Sequence, residues 1–297
     1  MNSVDFQKEY EVIRENGIGF YEQKRGLIAV WGKESVRFLN GLITIDVTKL
    51  ESGDCVLAAF PNAQGRTLAI VSVLRLDGKF LFETETATHE KVFNNLFRFT
   101  FAGDFFVEDL SENYIYFSLF GKGKMPSLEN VNGIIDFQND YFVSKNSVEI
   151  FKAKLEDGVE ISDELYEVLR IETGIPLYGV EMDETTIVPE IGLPELISYN
   201  KGCYIGQEII ARIHFRGHVA KKLTGLIFED NDAAINPNDE IKSLDGKNAG
   251  RITSVTFSPE LGKIIALAYV RYDYLAEETE LKVGNLSARV KDLPFVE

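Results

Sequence analysis

Cysteine is nearly absent. The chain has two, Cys55 and Cys203, too far apart in sequence to form a disulfide framework, so a reducing compartment is the simpler expectation. Long apolar runs are missing as well: nothing approaches the roughly 18 residues that a membrane span needs. The first residues, Met1-Asn2-Ser3-Val4-Asp5-Phe6-Gln7-Lys8-Glu9, lack an apolar signal core and the arginine-rich character of a transit segment. Positive charge is scarce. Against 47 Asp and Glu stand 31 Lys and Arg, a formal charge of -16. That balance argues against general or direct nucleic-acid binding, which needs a basic face to displace counterions. These absences together give the expectation of a soluble cytoplasmic protein with no membrane partner.

What is present is enough to build a core. The chain has 297 residues, 45% of them hydrophobic, which is room for about two domains. Residues 3–15 read as a short amphipathic helix with Phe6, Tyr10 and Ile13 on one side. Gly26 to Trp31 reads as a strand and Lys33 to Leu42 as a helix. Strands over 55–60 and 67–76 flank Pro61-Asn62-Ala63-Gln64-Gly65-Arg66, a turn by composition. Asp77-Gly78 is a hairpin signal, with Lys79 to Thr84 as the returning strand. A helix is expected over His89 to Phe99, strands near 105–109 and 114–120, a loop over 121–133, and strands at 134–137, 140–144 and 147–152. Ser162 to Glu172 is the clearest helix, with a polar cap, acids in its first turn and a stop at Gly174 and Pro176. Residues 175–205, dotted with proline and glycine, read as irregular. Beyond Gly217 short strands recur at 222–229, 239–243, 249–257, 263–271, 279–283 and 286–291, the pattern of a small all-β barrel or sandwich. The expected domains are 1–215 and 216–297.

The stretch Lys201-Gly202-Cys203-Tyr204-Ile205-Gly206-Gln207-Glu208 concentrates reactive chemistry. From Ser198 to Lys222 five basic residues (Lys201, Arg212, Arg216, Lys221 and Lys222) face one acid, Glu208. A thiol in such a field should ionise more readily. Two readings of Cys203 stay open on these residues alone: a small buried apolar group or a reactive thiol. Solvated surface charge and an anion site are likewise both open for the basic residues. Cys55, beside Val56-Leu57-Ala58-Ala59, reads as core packing. His214 and His218 would share a face if helical, but Gly217 lies between them and the pattern looks strand-like. With no third ligand evident, a structural or surface role is expected and no metal site. Glu172 sits in a last helical turn, where a carboxylate is mildly unfavourable, and this hints at a use elsewhere.

These residues carry a resemblance. Residues 201–208 resemble the signature of the YgfZ-type folate-binding proteins, relatives of the glycine cleavage T-protein. Trp31 to Val47 is similar to the family's N-terminal block, Asn62-Ala63-Gln64-Gly65-Arg66 to its hairpin turn, and Leu169-Arg170-Ile171-Glu172-Thr173-Gly174-Ile175-Pro176 with Tyr178-Gly179 to its Arg-x-Glu-x-Gly block. Pro189-Glu190 and a trailing β-domain follow in order. The resemblance implies an α+β fold in which two interleaved α+β lobes surround a central folate channel, with a C-terminal β-barrel as a third part. It implies tetrahydrofolate, or a one-carbon derivative, as the cofactor, with the pterin on Glu172, since a carboxylate can accept two parallel N–H bonds from an aminopyrimidine edge. Tyr178, Arg170, Tyr204, Lys201, Gln207 and Arg212 complete the expected folate-binding set. Cys203, near the channel mouth, is the expected working thiol.

Departures from the T-protein branch point the same way. The segment from Glu83 to Lys91 lacks the aspartate motif that supports aminomethyl transfer there, and Gln207 stands where that branch has an arginine. The resemblance therefore implies an accessory protein in iron–sulfur cluster assembly or repair, and hence in tRNA modification. Its expected partners are folate and iron–sulfur proteins or their assembly factors. A folate-dependent aminomethyltransferase is the alternative. The basic residues after the motif would meet a folate glutamate tail or an RNA phosphate.

Overall fold

The structure, a computed structural model, describes residues 3–124, 128, 131–138, 140–155, 158–230 and 234–296. Residues 125–127 and 129–130 of the expected 121–133 loop lie outside the described residues. The chain forms two compact units. One comprises Met1–Pro61, Leu68–Leu165 and Glu195–Ile205; the other comprises Asn62–Thr67, Tyr166–Pro194 and Gly206–Glu297.

The first unit begins with α1 (Ser3–Glu15), β1 (Gly19–Gln23), β2 (Arg25–Trp31) and α2 (Ser35–Leu42). It continues through β3 (Cys55–Pro61), β4 (Thr67–Leu76), β5 (Lys79–Glu85), α3 (Thr86–Phe97), β6 (Phe106–Asp109) and β7 (Tyr114–Phe120). Then come β8 (Ile134–Asp136), β9 (Asp140–Ser144), α4 (Val148–Lys154), β10 (Val159–Glu160) and the start of α5 (Asp163–Thr173). Two five-stranded sheets result, in the orders β3-β4-β5-β2-β6 and β10-β1-β7-β9-β8. Strand alternation sorts their side chains. In β2, Ile28 and Val30 join Leu39, Val73, Phe80, Phe82 and Leu96 in one core. Leu27 and Ala29, on the opposite face, join Leu74, Leu81, Tyr116 and Phe142 in another. A third core gathers Phe117, Leu119, Val143, Phe151 and Leu155 on the far face of the second sheet. Each fully buried Val, Leu, Ile or Phe among them contributes about 1.5–3 kcal/mol.

The expected strand at 147–152 is a helix instead. Val148 and Ile150 favour strands locally, but Val148, Phe151 and Leu155 fall three and seven residues apart and pack one helical face into that third core. The short edge strand β6 is tied to α3 by His89. Its Nδ1 lies 2.8 Å from Thr84 Oγ1 and its Nε2 lies 2.9 Å from Asp109 Oδ2. Gly26 provides the room: a Cβ there would sit 1.9 Å from His89 Nδ1.

The second unit holds the end of α5, an irregular segment as expected, α6 (Gln207–Arg216) and six strands: β11 (Lys221–Phe228), β12 (Glu240–Ser243), β13 (Asn248–Ser258), β14 (Lys263–Arg271), β15 (Glu280–Val283) and β16 (Leu286–Lys291). The strands close into a barrel in the order β11-β14-β13-β12-β15-β16. Leu226, Phe228, Ile252, Ala266 and Val290 fill it. Leu223, Ile265, Leu267 and Tyr269, on the outside, pack with Ile171 and Phe295. The helix α6 corrects the strand-like reading of this stretch. Ile210 is buried with Ile209 and Ile213 half-buried beside it, so three β-branched residues at helical spacing disguised a helix as a strand. No helix among the described residues is long and apolar enough to cross a membrane.

Candidate functional site

The cysteine loop is built from the bottom by its neighbours in the first unit. Thr44 is fully buried, and its backbone carbonyl accepts from Ser198 N at 3.0 Å. Ser198 Oγ accepts in turn from Asp46 N at 3.2 Å. Lys201 reaches in, its Nζ donating to the carbonyls of Ile43 at 2.8 Å and Ile45 at 2.5 Å, and standing 5.1 Å from the centre of the Tyr204 ring. Tyr204 is buried, and Ile205 N donates to Gly41 O at 3.1 Å. The backbone is therefore held on both sides of Cys203, and the Cys203 side chain is exposed. Burial lowers the Lys201 pKa from 10.5 to about 8, against the pull of Asp46. Burial also pushes the Tyr204 phenol up to about 12, helped by Tyr199. Lys201 is thus an anchor of the loop rather than a loose surface cation. Cys55 is half-buried against the core of β2 and β7, and burial first, then Glu83, Asp140 and Asp136, pushes its thiol up to about 12.

The motif continues in the second unit with Gly206, the N-cap of α6, at φ +80°. A Cβ at Gly206 would lie 2.4 Å from Asn62 O and 3.1 Å from Gly65 Cα, so only glycine fits against the 62–65 turn. That turn is shaped by Asn62, whose Oδ1 accepts from Gln64 N at 2.9 Å and Arg66 N at 3.0 Å. Two sequence blocks singled out separately, the turn and the motif, thus meet here. Gln207 opens α6, half-buried, while Arg212 and Arg216 are exposed. His214 lies on α6, but His218 falls beyond its end and stacks on Tyr272 at 3.6 Å. Among the described residues no His, Cys, Asp and Glu cluster could hold a metal.

The Arg-x-Glu-x-Gly block also lies in this unit, and Arg170 is not free to meet a ligand. It is fully buried, with Nε and Nη2 on Glu167, Nη1 on Ile175 O at 2.8 Å and on Glu181 at 3.1 Å, and Nη2 also on Ser254 Oγ at 3.0 Å. Those bonds engage all five guanidinium N–H groups. Glu172 is fully buried too. Its Oε1 accepts from Ser258 Oγ, and its carbonyl accepts from Phe295 N at 2.8 Å. Tyr178 is half-buried in a tight loop closed by Gly179 N donating to Met182 O at 2.7 Å.

A second group of polar side chains, absent from the sequence-based set, gathers nearby in the same unit. The Thr67 hydroxyl is buried with no hydrogen-bond partner among the described residues, and the buried Tyr269 hydroxyl has only a long approach to the Thr186 side chain. Burial raises the Tyr269 pKa, with Glu190 adding to the effect. Glu190 is 7% exposed. Its pKa is raised by burial, while Lys221, a hydrogen bond from the Ile187 backbone N–H and Arg66 pull it down. The Lys221 Nζ stands 4.7 Å from the centre of the Tyr269 ring. Thr67 N donates to Thr186 O at 2.8 Å, which fixes Thr67 to the strand-like segment before Glu190. A buried carboxylate beside poorly satisfied hydroxyls is costly unless something binds them. Pro189-Glu190 was legible as a motif block; its partners Thr67 and Tyr269, in distant strands, gave no signal in the sequence.

The comparisons with known proteins agree with this architecture. Residues 3–156 match the family model described as GCVT N-terminal domain, and residues 221–297 match the glycine cleavage T-protein C-terminal barrel domain. An aminomethyltransferase of Thermosipho melanesiensis is 26% identical, covering 98% of this chain and 89% of its own. One of Rubrobacter xylanophilus is 29% identical, covering 97% and 85%. The crystal structure of glycine cleavage system aminomethyltransferase T from Bartonella henselae superposes with a TM-score of 0.85 at 20% identity, over 98% of this chain and 90% of that one, which shows a shared fold. A two-sheet α+β unit with a closed six-stranded barrel, matched over most of its length by both family models, places this chain in the glycine cleavage T-protein family.

Proposed function

We propose that this protein binds tetrahydrofolate, or a one-carbon derivative of it, and acts in the cytoplasm as an accessory factor in the assembly or repair of iron–sulfur proteins, and through them in tRNA modification. The observation that carries this reading is the presentation of Cys203: an exposed thiol on a loop whose flanking residues, Lys201, Tyr204 and Ile205, are all anchored. Such a thiol can meet a protein partner's cluster or persulfide while its backbone stays in place. Two cysteines cannot by themselves supply the four thiolates of a usual cluster, so the cluster belongs to the partner.

The fit to folate rests on the unsatisfied polar atoms. The aminopyrimidine edge of a pterin offers parallel N–H donors, which a carboxylate accepts as a pair. Glu172 is the carboxylate that the resemblance assigns to it, and it already accepts from Ser258. We place the edge on Glu190 instead, a buried carboxylate held by a single Ile187 backbone N–H, with the Thr67 hydroxyl, buried and unsatisfied, and the Tyr269 hydroxyl beside it. When bound, the reduced pterin supplies one-carbon or redox chemistry; this chain's residues bind and orient it. Fluorescence titration with tetrahydrofolate tests the assignment. Charge-assisted bonds of this kind are worth about 1.5–3 kcal/mol, so Glu190→Gln should weaken binding about tenfold or more, whereas Glu172→Gln should act chiefly on stability. A loss confined to Glu172→Gln returns the pterin to that residue, and no saturable binding by the native chain removes the folate reading.

Folate-dependent aminomethyl transfer is the second reading, favoured by the names of relatives that match along nearly the whole chain. The two readings separate by assay. Methylene-tetrahydrofolate formation from an aminomethyl donor on its carrier protein, surviving Cys203→Ala, would establish the transferase. Loss of iron–sulfur enzyme activity in a deletion host, restored by the native gene but not by Cys203→Ala, would establish the accessory role.

A further inference from the structure

Phe101 is 83% exposed, more than any other large apolar side chain among the described residues. It ends a short helical turn, Arg98–Phe101, that continues α3. The turn brings it into a row of rings. Phe93 stacks on Phe97 with their centres 5.6 Å apart, and Phe97 meets Phe101 edge-on at 6.0 Å. Phe97 is itself 42% exposed. The row grows out of packed structure. Val92 and Leu96 of α3 are buried in the core of Ile28 and Val30, and Phe93 and Phe99 pack against that core. Exposed aromatic rings held in place by a core have the character of an interface centre.

Charge and size together select the occupant. From Lys91 to Gly103 the chain has no acid, while Lys91 and Arg98 are cations, and Arg98 is exposed. Two copies of this chain meeting through the row about a two-fold axis would bring Arg98 toward Arg98 and join two chains of net charge -16. The exposed parts of Phe97 and Phe101 come to about 250 Å², at about 200 Å² a ring. A stable dimer buries about 800 Å² a side. The occupant that fits is a different protein, held transiently, with an apolar groove and an acidic rim.

The row shares its support with the thiol loop, within the first unit. The Phe38 ring of α2 lies 5.3 Å from the Phe99 ring and 5.4 Å from the Phe105 ring. Three residues on, Gly41 O accepts from Ile205 N, which holds the loop that presents Cys203. Row and loop are thus fastened to one helix of eight residues, about 12 Å long. We propose that Phe97 and Phe101, with Arg98, form the ridge on which the iron–sulfur partner of Cys203 docks, through an apolar groove rimmed by acidic residues. The inference rests on the accessory reading and names the surface and the partner chemistry that this reading requires.

The test is restoration of iron–sulfur enzyme activity in a deletion host by native, Cys203→Ala, Phe97→Ser/Phe101→Ser and Arg98→Glu genes expressed at equal levels. A central interface group is worth about tenfold or more in affinity, so the double variant should restore about a tenth of the native activity. The charge reversal should also restore less than the native gene. Exposed substitutions change stability little, so both purified variants should keep the native Tm within about 2 °C and the native rate of Cys203 labelling by a thiol-exchange reagent. Full restoration by either variant, where Cys203→Ala restores nothing, overturns the ridge and leaves the accessory reading standing. Full restoration by Cys203→Ala overturns both. A lowered Tm or a changed labelling rate gives these side chains a structural role and overturns the proposal. So does a native dimer, seen by size exclusion with light scattering, that the double variant makes monomeric. Binding of a mixed-sequence single-stranded oligoribonucleotide that the double variant abolishes also overturns it and assigns the rings to base stacking.

Discussion

Replacing Arg170 by methionine should destabilise the second unit sharply, and the size follows from its surroundings. The guanidinium makes five hydrogen bonds, and neither its side chain nor that of Glu181 has any exposure. Methionine fills similar length but leaves the Glu181 carboxylate buried with two donors, Ser254 Oγ and Leu177 N. Removing one partner of a buried pair costs about 3–5 kcal/mol, and the two surviving donors put the expectation near the lower end, about 3 kcal/mol. That is a large part of a typical total of about 5–15 kcal/mol, and for a unit of this size it lowers Tm by about 10 °C. Glu181→Met should cost a similar amount. The double variant, which leaves no buried charge unpaired, should cost less than the sum by about 2 kcal/mol. Urea unfolding followed by far-UV circular dichroism measures all three. Trp31, the one tryptophan, belongs to the first unit, so its fluorescence reads that unit separately. A single-variant cost under about 1 kcal/mol, or strict additivity in the double variant, would refute the structural role given to Arg170.

Three further outcomes follow from the cysteine loop. Because burial lowers the Lys201 pKa from 10.5 to about 8, the unfolded chain binds more protons between those values, so stability should rise with pH across that window. The shift is 10.5 minus 8, or 2.5, worth about 3.4 kcal/mol if fully expressed. Solvent screening halves it to about 1.7 kcal/mol, and urea midpoints near the two ends of the window should show that rise in the native chain and not in Lys201→Met. Gly206→Ala should cost about 2 kcal/mol or more, since it combines a left-handed backbone with a clash against Asn62 O; Gly284→Ala, also at positive φ but with open space around it, should cost about half as much, as equilibrium denaturation would show. A thiol-exchange reagent should label one cysteine rapidly, Cys203, and reach Cys55 only on unfolding, because Cys55 is half-buried with a pKa near 12; two rapid equivalents in the native chain would contradict that.

The barrel was legible in the sequence because its six strands are short, alternate in polarity and are separated by turn residues, so local pattern and final burial coincide. The same holds for α5, whose cap, acids and glycine stop stand side by side. The misread elements are those where local preference and packing conflict. At Val148–Lys154 and Gln207–Arg216, β-branched residues favour a strand, while a helical face of Phe151 and Leu155, or of Ile210, decides the outcome. The site was legible by the same rule. Cys203, Lys201 and Tyr204 are contiguous, and the motif located them. Glu190, Tyr269 and Thr67 come together only through the folding of three remote segments, and no spacing in the chain encodes that meeting.

His89 has one more consequence. A hydroxyl, an imidazole and a carboxylate in hydrogen-bonded series are the parts by which serine hydrolases raise a nucleophile, and Thr84, His89 and Asp109 stand in that series here. A search that matched three functional groups by distance would report a hydrolytic enzyme. Two details decide otherwise. The ring is reversed, with Nδ1 toward the hydroxyl and Nε2 toward the carboxylate, and Thr84 has no exposure to any acyl donor. The constellation works as a rivet that fastens a short outer strand to the helix behind it, and it shows that accessibility, more than interatomic distance, separates a reaction centre from its imitation.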